Sequence, residues 1–185
     1  QGLAKKLSEF YQVIVLPDHL VPKKEKSKNS ALEIKTFLLP KFLRNFYKKI
    51  YIKKVIRKDT LLICDSWKSV FAIPINIKNK IIVLAHGQEY LDPRKIDKIN
   101  LALSRASILI SNSSFTKNLA KNVLNGSKLK HIVIPPTYFM DKSPARFKKT
   151  KKIIPNLLTL TRIDIRKGIT QTMEALSILK KQKKI

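Results

Sequence analysis

The chain carries a single cysteine, Cys64, which excludes an internal disulfide and any zinc site built on cysteine. It lies in an apolar run, where a small buried side chain is its ordinary role, and a reducing compartment suits it. No stretch reaches the ~18 to 20 apolar residues of a membrane-spanning helix. Behind Lys5 and Lys6 the apolar stretch is too short and too interrupted for a signal peptide. Acidic residues are scarce: 12 Asp and Glu stand against 39 Lys and Arg, a net charge of +27. Such a field attracts any polyanion. The excess is mostly lysine, runs along the whole chain and accompanies abundant Ile and Asn, as an AT-rich coding bias would produce, so it singles out no partner. Arg and aromatic residues are not gathered as nucleic-acid modules gather them, and nucleic acid is not the expected partner. A Gly-Xaa-Ser-Xaa-Gly elbow, a His-Glu-Xaa-Xaa-His pair and a Walker phosphate loop are also missing, which sets three reaction classes aside.

What is present is an alternation of short apolar runs with longer amphipathic ones, the pattern of parallel strands joined by crossover helices. A helix end over residues 2–10 leads to a strand at 12–16, stopped by Pro17. A charged loop follows at 23–29. Residues 31–58 read as a long helical region broken near Pro40, with Phe42, Phe46 and Ile50 on one side and Lys41, Arg44 and Lys48 on another. Then come a strand at 60–64, a short helix at 67–72, a strand at 80–85 and a helix at 93–106 that opens on Pro93. A strand at 108–111, a helix at 115–124 and a strand at 131–134 complete the set. Five strands buried on both faces imply a Rossmann-like α/β sandwich: a parallel sheet with helices on both sides. Pro135-Pro136 ends the last strand, and residues 141–152 are charged and strand-poor, as a linker is.

Two places carry chemistry. Leu157-Leu158-Thr159-Leu160-Thr161 reads as a strand, and Arg162-Ile163-Asp164-Ile165-Arg166-Lys167-Gly168 as a cationic turn opening a helix. Side-chain cations beside the partial positive charge of a helix N-terminus make a place for phosphate. The second is Ile81-Ile82-Val83-Leu84-Ala85-His86-Gly87-Gln88-Glu89. There a polar residue and a glycine follow an apolar strand directly, at the edge where open α/β sheets bind ligands. Asp65, after the preceding strand, either lines the same cleft from the side opposite His86 or caps the next helix, and the cap is the commoner role. Ser113 or Ser114 can cap the helix after residue 111.

The segment from Leu157 to Gly168, followed by Glu174-Ala175-Leu176, resembles the start of the second domain in retaining glycosyltransferases of the GT-B fold, specifically glycosyltransferase family 4. In that family a strand, a Gly-Arg pair and a Lys-Gly precede a helix with a Glu-Ala-Leu-like stretch. Thr161 stands here where the family usually has Gly. The resemblance implies that Arg162 and Lys167 hold the diphosphate of a nucleotide-sugar, with no metal or other cofactor. The strand ending in His86-Gly87 is similar to the family's His-Gly strand end, which implies a place for His86 near the transferred sugar, with Gly87 allowing close backbone approach. The resemblance also implies contact with acceptor or phosphate as a second role for Ser113. Pro136-Thr137 replaces the family's Asn-Gly turn, so no chemistry is assigned there.

These features give a first reading of the whole chain. Residues 1–140 form an N-terminal acceptor-side domain, 141–152 a linker, and 153–185 the beginning of a nucleotide-sugar-binding domain. The sequence opens without Met and stops inside a helical pattern, so a fragment is expected. It would lack a first strand and Gly-rich loop of roughly 20 to 30 residues and most of the second domain, and it would be inactive alone. The resemblance implies a cytoplasmic hexosyltransferase-like enzyme of cell-surface glycan or glycolipid synthesis, with a glycan or lipid-linked acceptor. The basic amphipathic stretch 35–58 admits peripheral contact with an anionic membrane, the inner face of the plasma membrane. Two other readings stay open: a non-catalytic basic Rossmann-like module binding RNA or anionic surfaces, and another GT-B enzyme such as a sugar-nucleotide epimerase.

Overall fold

A computed structural model describes residues 2–18, 31–124, 129–136 and 158–182. The chain divides into two compact units, Gln1–Phe139 and Met140–Ile185. The charged loop at 23–29 and the linker at 141–152 lie outside the described residues.

The first unit opens with helix α1 (Gly2–Leu7) and strand β1 (Val13–Val15). Strand β2 (Leu32–Ile34) pairs parallel with β1, Val13 opposite Leu32 and Val15 opposite Ile34. This corrects the helical reading of residues 31–39. Leu32-Glu33-Ile34 alternates apolar and polar with period two, and its backbone is claimed by β1: Val13 N–H donates to Ala31 O at 2.8 Å and Lys35 N–H to Val15 O at 2.9 Å. Helix α2 (Lys41–Val55) begins immediately after Pro40, whose fixed φ and missing N–H suit a helix start. It ends three residues before the expected Lys58.

The remainder of the unit is a four-stranded parallel sheet made of β3 (Leu62–Cys64), β4 (Ile81–Ala85), β5 (Ile108–Ser111) and β6 (Lys130–Val133), in that order. A 3₁₀ helix, Trp67–Ala72, joins β3 to β4. Two further 3₁₀ turns (Gln88–Leu91 and Pro93–Lys95) and helix α3 (Ile96–Leu103) join β4 to β5, and helix α4 (Ser114–Val123) leads toward β6. The expected helix at 93–106 is thus a 3₁₀ turn plus a shorter helix, and Asp92 caps it by accepting the Arg94 N–H at 3.2 Å.

Strands in chain order and all parallel send right-handed crossovers to one face. Burial follows that rule. Ile81, Val83 and Ala85 of β4, Leu109 of β5 and Cys64 of β3 are buried in one cluster with Trp67, Val70, Ile99, Leu103, Ala120 and Val123 from the connecting elements. The alternate residues Ile82, Leu84, Ile108 and Ile110 are only half-buried, and Ile63 on edge strand β3 is exposed. Each fully buried aliphatic side chain contributes about 1.5–3 kcal/mol, so this one-sided core holds the unit together. Arg105 closes its end, its guanidinium donating to the carbonyls of Val70, Ile73 and Pro74 at 3.2, 3.1 and 2.9 Å. The architecture is α/β with parallel sheets, consistent with a Rossmann-like fold; the described residues of this unit form six strands in two sheets where five were expected, and the larger sheet is fully buried on one face rather than on both.

In the second unit a 3₁₀ turn (Ile165–Lys167) precedes helix α5 (Ile169–Lys181). Residues 158–161 are not a strand, contrary to the sequence reading. Leu158 and Leu160 are 89% and 94% exposed. A parallel strand needs a neighbouring ladder to satisfy its N–H and C=O groups, and the described residues of this unit supply none.

Candidate functional site

Parallel register gathers chemistry at one edge. Cys64 pairs with Val83 and Ala85 with Ser111, so the residues that follow β3, β4 and β5 leave the sheet side by side at its carboxyl edge. They are Asp65, His86-Gly87 and Asn112-Ser113. His86 Nε2 lies 2.8 Å from the Asp65 carbonyl oxygen and 3.4 Å from Asp65 Oδ1. A carbonyl oxygen only accepts, so Nε2 is the ring's N–H and Nδ1 is the acceptor when the imidazole is neutral. The His86 backbone N–H donates to Glu89 Oε1 at 2.8 Å, and Asn112 Nδ2 donates to the His86 carbonyl at 3.5 Å. The imidazole, 53% exposed, is held from both flanks and still open to solvent.

Gly87 is demanded by its surroundings. Its φ of +110° lies where L side chains rarely go, and a Cβ there would fall 2.8 Å from Thr116 Oγ1. Thr116 is buried at the first turn of α4, and its N–H donates to Ser113 Oγ at 3.1 Å. Ser113 therefore caps α4, the commoner of its two expected roles, and its hydroxyl also lies 3.2 Å from Thr116 Oγ1.

Asp65 does not cap the helix that follows it. Ser66 occupies that position in extended conformation, without a side-chain cap bond, so Asp65 is one residue too far back. Its carboxylate is exposed and sits beside His86, on the adjoining strand end rather than across from it. Glu89 and Asn112 also belong to this cluster and were not singled out from the sequence. Glu89 had a legible signal, an acid three residues after a strand-end histidine. Asn112 had none, since only the β4–β5 register brings it to His86.

Two further polar groups lie near this edge. Ser111 Oγ and His131 Nε2 are 2.6 Å apart between β5 and β6. Burial pushes the His131 pKa below its usual value, and Lys117 and Lys121 on α4 push it the same way. The Tyr90 hydroxyl is buried without a hydrogen-bond partner among the described residues. Burial, aided by Glu89, raises its pKa well above the usual tyrosine range.

The second unit places Arg162 and Lys167 at exposed positions before α5. Lys167 N–H donates to Asp164 O at 2.9 Å and Gly168 N–H to Ile165 O at 3.3 Å, which forms the turn. Gly168 is the residue preceding the helix rather than its first residue, in left-handed conformation with φ of +66°, and it offers no side-chain cap. Both the N–H and the hydroxyl of Thr172 donate to the Gly168 carbonyl at 2.9 Å. Glu174 and Ala175 are exposed on α5, and Leu176 is half-buried.

No family model matches the chain, and neither does any curated protein or solved structure.

Proposed function

We propose that this chain is part of a retaining glycosyltransferase that moves a sugar from a nucleotide-sugar donor to an acceptor hydroxyl. The observation that carries the reading is the start of α5. A 13-residue helix begins after an uncapped left-handed glycine, with Lys167 adjacent and Arg162 upstream, both exposed. Backbone N–H groups, a helix dipole and two side-chain cations suit a diphosphate.

In the transfer, the bond from the anomeric carbon to the phosphate oxygen breaks. The acceptor oxygen bonds to that carbon, and the nucleoside diphosphate leaves with the electron pair and takes the acceptor's proton on its phosphate oxygen. Arg162 and Lys167 neutralise that leaving charge, taking the place of the divalent metal that other transferases use. On the acceptor side, His86 presents Nδ1 as the ring atom that takes a hydrogen bond from a sugar or acceptor hydroxyl. Asp65 and Glu89 fix the ring and backbone of His86, and Gly87 keeps the approach free of a side chain. This reading assigns residues 1–140 to the acceptor side and 153–185 to the beginning of a nucleotide-sugar domain. It fits cytoplasmic synthesis of a surface glycan or glycolipid.

A second reading, a non-catalytic basic module that binds RNA or anionic surfaces, accounts for the net charge of +27. Titrating UDP and GDP into the isotopically labelled chain and following amide shifts separates the two. The transferase reading expects saturable shifts centred on Arg162, Lys167 and Gly168, and Lys167→Ala should weaken binding by about tenfold or more, since a charged hydrogen bond is worth about 1.5–3 kcal/mol. Shifts spread over the lysines of both units, displaced equally by generic RNA, would establish the second reading instead. In the transfer reaction of the full-length protein, Lys167→Ala should cost on the order of 3 kcal/mol of transition-state stabilisation.

A further inference from the structure

Helix α2 is used on one side and, among the described residues, uncovered on the other. On its inner side Ile52 and Lys48 are buried, Lys48 pairs with the Asp18 carboxylate, and Arg44 donates to the carbonyls of Leu39 and Asp18. On its outer side Phe46, Lys49, Ile50 and Lys53 follow the i, i+3, i+4, i+7 spacing of a single helix face. With Pro74, Ile75 and Asn76 they line an open groove of about 430 Å³. Phe46 is 59% exposed, Ile50 50% and Ile75 82%. The helix holds six cations and no acidic residue, and neither Lys49 nor Lys53 meets an acid among the described residues.

We propose that this face of α2, with Ile75 beside it, docks on an anionic lipid bilayer. The charge pattern selects the occupant. Two ammonium groups alternate with two large apolar side chains, so the lysines reach lipid phosphates at headgroup depth while Phe46, Ile50 and Ile75 enter just beneath. The cationic surface of a +27 chain strengthens the encounter with an anionic leaflet. Single-stranded RNA would engage the lysines and stack on Phe46, but it gives the aliphatic Ile50 and Ile75 nothing to stack on. The proposal rests on this face alone and stands whether or not the chain transfers sugars.

Vesicle flotation tests it, with phosphatidylcholine alone and with phosphatidylcholine mixed with phosphatidylglycerol, at low and near-physiological salt. The chain should float only with the anionic vesicles. The pair Phe46→Ser, Ile50→Ser should lower partition about tenfold, as the loss of two partly inserted apolar side chains implies. Lys49→Glu with Lys53→Glu should abolish it, while Leu101→Ser, a similarly exposed leucine on α3, should leave it unchanged. Phe46→Trp supplies a reading that needs no loss of function, because its emission should shift to the blue on anionic vesicles. Flotation insensitive to the Phe46 and Ile50 changes, no blue shift, or displacement by generic RNA at matched phosphate concentration would each overturn the proposal.

Discussion

Gly87 is the residue on which the strand-end cluster turns. An alanine there would bring both an unfavourable φ and a Cβ 2.8 Å from Oγ1 of the buried Thr116. Gly87→Ala should therefore destabilise the first unit by about 2 kcal/mol, as measured by urea denaturation. Adding Thr116→Ala should return only the steric part, leaving the cost of the backbone conformation. A variant as stable as the parent would show that the turn relaxes freely. His131 makes a second residue-scale prediction. Its folded pKa lies below the unfolded value of 6.5, from burial first and then from Lys117 and Lys121. The native state thus binds this proton less readily than the unfolded chain. Stability from this group is complete above pH 6.5 and is lost as pH falls through the lowered folded pKa, below which it changes no further. His131→Gln should flatten that part of the stability profile, and an unchanged slope would assign the titration elsewhere.

At the level of elements, α4 shows how a short polar sequence fixes where a helix begins. Ser113 in extended conformation accepts the Thr116 N–H, and Thr116, Ala120 and Val123 recur on the buried face. Ser113→Ala should cost about 1 kcal/mol in thermal or chemical unfolding, and Ser113→Asp, which keeps an acceptor, should cost less. Equal losses would mean that the cap contributes little. Helix α5 has the opposite start: a glycine with positive φ and no side-chain acceptor. That contrast is why α5, and not α4, carries the proposed diphosphate site, since the Ser113 oxygen already occupies the N-terminus of α4.

Across the molecule, charge is the dominant collective term. A net charge of +27 over 185 residues makes the folded chain repel itself. Salt shortens the reach of that repulsion to a Debye length of about 10 Å at 0.1 M, so the denaturation midpoint should rise with sodium chloride in the sub-molar range. A midpoint that falls would mean that specific ion pairs, such as Lys48 with Asp18 or Lys95 with Asp92, outweigh the net field. The first ties the middle of the cationic helix α2 to Asp18, and the second ties the turn before α3 to Asp92.

Much of the fold was legible before any coordinates. The runs at Ile81–Ala85 and Ile108–Ser111 are short, apolar and rich in β-branched residues, and the β4 and β5 strands match them closely. Two other short segments were misread. Leu32-Glu33-Ile34 falls in a stretch that reads as helical, and pairing with β1 makes it a strand. Leu158 to Thr161 has strand composition but no described neighbour to pair with, and composition cannot supply one. Within the candidate site, His86 and Gly87 were visible as a polar residue and a glycine after an apolar run. The alignment of Asp65, Glu89 and Asn112 around His86 was not, because it depends on register between strands distant in sequence.

The sequence by itself determined the α/β alternation, the charge, the start of α4 and the residues at which strands release polar groups, because these depend on local periodicity and capping. Only the tertiary structure decided which face of the sheet is buried, that Asp65 turns to His86 instead of capping a helix, and that Thr116 makes glycine obligatory at position 87. Each of those outcomes is set by a neighbour that is remote along the chain and becomes adjacent only when parallel strands align.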